Sequence, residues 1–160
     1  MQPDNPYKTN NSGYLPFYQS PVGQYAIPLV FYKADGSLKG LPDRIAQQTD
    51  IFPSVVHYLN LQSPIVAFGE SVFDSLAPAF SITRLNQQYQ MIYDGHSIIS
   101  DGKNFKGYYN LKTDSLMNRN LLKEHGLIPE NAGLLFKSVI QQYNQGMILN
   151  RLTPESINKP

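Results

Sequence analysis

The chain has 160 residues, a formal charge of +1 and no cysteine. That length suffices for one domain with a real core and is short for two ordinary ones. The near-neutral balance argues against a broad electrostatic footprint for nucleic acid, and the lack of cysteine removes disulfides, thiolate metal ligands and a cysteine nucleophile.

Met1 to Tyr25 is rich in Pro, Asn, Gly, Ser and Tyr without a sustained period, which predicts a loop. The opening MQPDNPYKTNN lacks the pattern of a signal peptide, and no apolar stretch approaches the length of a membrane span. The segment is therefore expected to be soluble and to make no membrane contact itself. Lys and Arg are not interleaved with the tyrosines of Tyr7 to Tyr32, so these side chains suit packing against protein better than stacking on bases or sugar.

Ile27-Pro28-Leu29-Val30-Phe31-Tyr32 is a nearly continuous apolar run, the pattern of a strand buried on both faces. Pro28 lacks an amide donor and belongs at the strand's entry or at an edge. Lys33 to Ser37 is turn chemistry. Thr49-Asp50-Ile51-Phe52-Pro53 predicts a helix start, with Asp50 accepting from first-turn amides and Pro53 tolerated in that turn. Ile51, Val55, Val56 and Leu59 then place an apolar stripe on one helix face.

Pro64 to Ser71 reads as a loop. Beyond it the period shifts to short strand candidates at Phe80–Thr83, Tyr89–Tyr93, Ser97–Ser100 and Gly107–Leu111, punctuated by Asp94-Gly95 and Asp101-Gly102. This is the signature of an antiparallel meander with one apolar face, its other face wet or covered by a helix. Pro129-Glu130 resembles a helical first turn, and Leu135, Val139, Tyr143 and Met147, with Phe136 and Ile140 alongside, form a broad stripe across Leu134 to Leu149. Gly133 and Gly146 each weaken that helix by about 1 kcal/mol relative to Ala. The expected fold class is α/β to α+β. The chain divides into a loop at 1–25, a strand-helix unit at 26–75, an antiparallel sheet plus helix at 76–152 and a tail at 153–160.

No complete catalytic constellation emerges. His57 has no second ligand one helical turn away, so a structural or surface histidine accounts for it best. Asp94, His96 and Asp101 offer oxygen and nitrogen ligands, but Asp-Gly is first a turn signal and explains them without a metal. His125 precedes Gly126, the arrangement of a helix C-terminus. Ser54, Ser71 and Ser138 lie outside any Gly-x-Ser-x-Gly elbow, and no Gly-rich phosphate loop or metalloprotease helix occurs. No residue is assigned a catalytic, cofactor-binding or metal-binding role.

Three stretches nevertheless carry a family pattern. IPLVFYKADGSLKG, then QQTDIFPSVVHYLNL, then AFGESVFD resembles the C-terminal part of sulfatase-like enzymes of the alkaline phosphatase superfamily, in particular the membrane-anchored lipoteichoic-acid-synthase type of phosphoglycerol transferase. That family shows an "IPL-F-Y" strand, then "DI-PT-L--LG" and "FG-S". Asp50, Ile51 and Pro53 match, Ser54 stands where Thr is usual, and Phe68, Gly69 and Ser71 match the third motif. DGKNFKGYYNLKTDSLMNRNLL resembles the family's "YNL--DP-E-NNL", with Ser115 where Pro is common and Asn118 and Asn120 near the expected asparagines. The resemblance runs from Tyr25 to Leu152.

The resemblance implies an edge of the main α/β sheet followed by a small antiparallel sheet with a packed helix, supporting a catalytic site formed elsewhere. It implies a parent enzyme using a divalent metal (Mn, Zn, Ca or Mg) to activate a hydroxyl nucleophile, located on the extracytoplasmic side of the membrane. The family's Asp-His metal pair precedes the "IPL-F-Y" strand, and no adjacent Asp-His pair occurs in this chain. The chain is therefore expected to begin just downstream of that pair, and to be inactive alone. Its expected partner is the remainder of the catalytic domain, with an exposed apolar surface around Ile27 to Tyr32 and Tyr14 to Tyr18 and self-association through an open strand edge. An independent small α+β binding module for a glycan or peptide is the alternative; it predicts a closed monomer with no orphan edge.

Overall fold

Four strands form an antiparallel meander in the order β1 (Phe80–Leu85), β2 (Gln88–Tyr93), β3 (His96–Ser100), β4 (Phe105–Asn110). The computed structural model describes residues 15–40 and 43–154. Asp94 and Gly95, with φ of 46° and 68°, make the two-residue turn whose twist matches that of the flanking strands. Asn86 and Gln87 do the same between β1 and β2, with φ of 47° and 64°. That second turn carries no glycine, so it lacked the Asp-Gly signal that marked the other.

The register aligns Ile82, Met91, Ile98 and Tyr108 across the sheet. Met91 and Ile98 are fully buried there against α4 (Glu130–Ile148), which contributes Ala132 and Phe136 to the core. Phe105 meets Phe136 edge-to-face at 5.5 Å. This is the expected meander and its expected covering helix, an α+β arrangement of mixed α and β elements. The opposite sheet face buries Gln90 and Ser97, where Gln90 Nε2 donates to Ser97 Oγ at 2.9 Å and contacts Met117 Sδ at 3.6 Å. A polar pair is tolerable there because each group finds a partner. α4 runs unbroken through both Gly133 and Gly146, and Phe68 packs against the latter, where a side chain would crowd its ring.

The N-terminal half departs from expectation in three ways. The loop expected over Met1–Tyr25 contains, in its described part, the short helix α1 (Leu15–Gln19) and a 3-10 turn at Gly23–Tyr25. Ser20 ties the two, its Oγ accepting from Gly23 N at 3.0 Å, a local bond that composition alone does not reveal. The remainder of that loop, including Tyr7 and Tyr14, and the tail beyond Pro154 lie outside the described residues.

The second correction concerns Ile27–Tyr32. It runs extended but joins no ladder and is exposed: Ile27 by 84%, Val30 by 78% and Tyr32 by 85%. A buried strand needs neighbouring strands and covering layers, and no described strand of this chain pairs with this segment. The third concerns α2 (Ile51–Tyr58). The helix forms where its apolar period places it, yet its buried residues are Pro53 and Ser54, while Ile51, Phe52, Val55 and Leu59 face outward. Arg44 Nη2 to Ala77 O (3.2 Å) and Ile82 N to Gln47 Oε1 (3.0 Å) fasten this half to the sheet.

Candidate functional site

The two motifs around Asp50 and Gly69 fold onto each other. Asp50 is buried and its carboxylate serves two backbones: Oδ2 accepts from Gln47 N and Oδ1 from Glu70 N, each at 2.9 Å. It thus closes the 3-10 turn Gln48–Asp50 and anchors the following loop, instead of capping the first turn of α2 as the sequence predicted. Ser54, fully buried, donates its hydroxyl to Asp50 O and accepts from Val72 N at 2.9 Å. Gly69 is required by contact, since a Cβ there would strike Asp50 Oδ1 and the Thr49 carbonyl.

His57 and Ser71 meet one turn further along, with Nδ1 and Oγ 2.9 Å apart. Fourteen residues separate them in sequence, and no local pattern announced the contact. The same Ser71 oxygen accepts from Phe73 N at 3.2 Å, and Ser71 is buried. Acyl chemistry would require a group orienting the imidazole and donors aimed at an oxyanion. Among the described residues no carboxylate bonds to His57. The pair is a brace of the 71–73 turn.

A second set of matched residues is spent in the same manner. Asp114 accepts from Asn118 N at 3.0 Å and from Arg119 N at 2.7 Å, and these amides hold its carboxyl below the usual carboxylate range. Asn120 caps α3 (Leu121–His125), its Oδ1 accepting from Leu122 N (3.1 Å) and from Tyr108 N (3.2 Å) while Nδ2 donates to Lys106 O (3.0 Å). The helix is thereby pinned to β4. It ends as predicted, with His125 in its last turn and Gly126 in the left-handed region at φ 72°.

The structure separates the residues of the central turns. His96 Nδ1 lies 2.7 Å from Asp94 O, and its ring stacks on Tyr108 with centroids 4.9 Å apart. Burial, then the Asp94 charge, raise the Tyr108 pKa. Asp101 lies beyond the far end of β3, where its carboxylate takes the amides of Lys103 and Asn104 and pairs with Lys106 Nζ at 2.9 Å. Ser138 lies exposed on α4. Among the described residues no group of three or more His, Cys, Asp or Glu is arranged to hold a metal ion.

What remains open is a surface. Phe73 joins the extended segment to α2, with its ring 5.1 Å from Phe31 and 5.4 Å from Tyr58. Lys33 sits over the Tyr58 ring and pairs with Asp35, whose carboxylate raises its pKa. The same two segments also carry exposed apolar side chains, Ile27, Val30 and Tyr32 in the first and Ile51, Phe52 and Val55 in the second. Set against known proteins, the chain matches no family model and no curated protein. No described helix is long and apolar enough to cross a membrane.

Proposed function

We propose that the chain is a non-catalytic C-terminal portion of a metal-dependent, sulfatase-like phosphoryl or sulfuryl hydrolase or phosphoglycerol transferase. The carrying observation is the exposed run Ile27–Tyr32. An extended segment apolar on both faces is stable only where strands flank it and layers cover it. The outward apolar side of α2, tied to it through Phe73, extends the same unmet demand. The natural partner is the remainder of the catalytic domain, in an extracytoplasmic, membrane-anchored parent.

The matched residues support this reading by what they do. Asp50, Ser54, Gly69, Asp114 and Asn120 are committed to backbone amides and close approaches. Such bonding suits residues that shape a scaffold. Among the described residues no group of three or more His, Cys, Asp or Glu is arranged to hold a metal ion; in this reading the parent's divalent metal is held by residues outside this chain. A free-standing binding module would cover its own apolar strand, which favours the scaffold reading over that alternative.

The test is the native gene product. An antibody raised against this chain is expected to detect a species well above 18.1 kDa, with an adjacent Asp-His pair upstream of the matched strand. The purified chain alone is expected to hydrolyse neither nitrophenyl phosphate nor nitrophenyl sulfate with Mn²⁺ or Zn²⁺ added. A native product of 18.1 kDa, or metal-dependent turnover by the chain alone, overturns the reading.

A further inference from the structure

A cleft of about 320 Å³ lies between the β3–β4 turn and α4, at the small end of the range for small-molecule sites. Its lining includes Lys103 from the turn and Lys137 from the helix, and no carboxylate. The acid nearest Lys103 in sequence, Asp101, is engaged by two backbone amides and by Lys106, so it leaves the Lys103 ammonium uncompensated. Gln141, Asn144 and Gln145 add amides that both donate and accept, the match for hydroxyl groups, which do the same.

The floor is built in advance. Phe105 is locked against Phe136, and Lys137 Nζ rests 5.6 Å over the Phe105 ring. Ser100 Oγ accepts from Gly102 N and donates to Asn104 O, fixing the turn that carries Lys103. An aromatic floor, amide walls and two cations make a site for a hydroxyl-rich ring with one anionic substituent. We infer that this cleft binds a monosaccharide bearing a phosphate or sulfate group.

The decisive experiment is titration of the ¹⁵N-labelled chain with glucose 6-phosphate, glucose and inorganic phosphate. Glucose 6-phosphate is expected to shift amides of Gly102–Phe105 and Lys137–Ile148 with a Kd of about 1 mM or tighter, weakening as salt rises. The Lys103→Gln/Lys137→Gln double variant is expected to lose about tenfold in affinity with an unchanged thermal midpoint, because both side chains are exposed. Unaltered amides up to about 10 mM sugar phosphate overturn the inference. So does binding that survives in the double variant, or inorganic phosphate binding as tightly as the sugar phosphate, which marks adventitious anion binding only. The chain itself is the reagent, so the inference stands or falls independently of the proposed parent.

Discussion

Asp50 and Ser54 illustrate how a polar residue can be buried at low cost. Each sits in the interior with its side-chain hydrogen bonds directed at backbone groups. Removing such a partner leaves a donor unsatisfied, which is worth more than the bond itself. Ser54→Ala strands the Val72 amide, and the expected loss is about 1–3 kcal/mol, read as a lower midpoint in chemical unfolding. An unchanged midpoint would mean that the α2–loop clasp does not form. The single oxygen atom matters here because two motifs, eighteen residues apart, share it.

At the scale of elements, α3 is five residues long and has no buried residue of its own, so its position depends on its attachments. Short helices are marginal without tertiary support. Asp114 and Asn120 supply it. The Asp114 pKa is lowered in the folded state, so between that value and the ordinary carboxylate value near 4 the unfolded chain binds more protons. Its stabilisation is therefore complete at neutral pH and fades as pH drops below about 4. Asp101 acts in the same direction. Asp114→Asn is expected to lower the thermal midpoint at pH 7 and to flatten part of the acid-side decline. Parallel midpoint-versus-pH curves for the two proteins between pH 7 and pH 3 would contradict this.

Elements with a clean period and a local stop signal were legible in the sequence. The meander read correctly from its alternation and Asp-Gly turns, and α4 from its stripe and Pro129-Glu130 start. The Asn86-Gln87 turn was not, because nothing in those residue types demands a left-handed backbone. Asp50 read as a cap, but its carboxylate is turned toward Gln47 and Glu70 by a loop that local pattern cannot place. The cleft was missed for a different reason. Lys137, Gln141, Asn144 and Gln145 recur at helical spacing beside the stripe residues Phe136 and Ile140, at a border where polar residues are expected whether or not they bind anything.

For the whole molecule, the informative mismatch lies at Ile27–Tyr32 and α2. Their sequences have the composition of a core, and among the described residues they have no core to enter. Periodicity reports what a segment is built to contact; it does not say whether the contact is in the same chain. The sheet and the first half of α4 share a core at Met91, Ile98, Ala132 and Phe136, whereas Tyr143 and Met147 further along α4, and the apolar side chains of the N-terminal half, stay exposed. Under the proposed function this face is an interface, and an uncovered apolar face of this kind is expected to pair with itself.

The measurement that tests this most directly is light scattering of the purified chain across a concentration series, beside a Val30→Lys/Tyr32→Lys variant. Both side chains are mostly exposed, so the variant is expected to fold with a thermal midpoint close to that of the parent sequence. The account predicts that the unaltered chain self-associates as concentration rises and that the variant stays monomeric. An unaltered chain that remains a monomer throughout, indistinguishable from the variant, would contradict it.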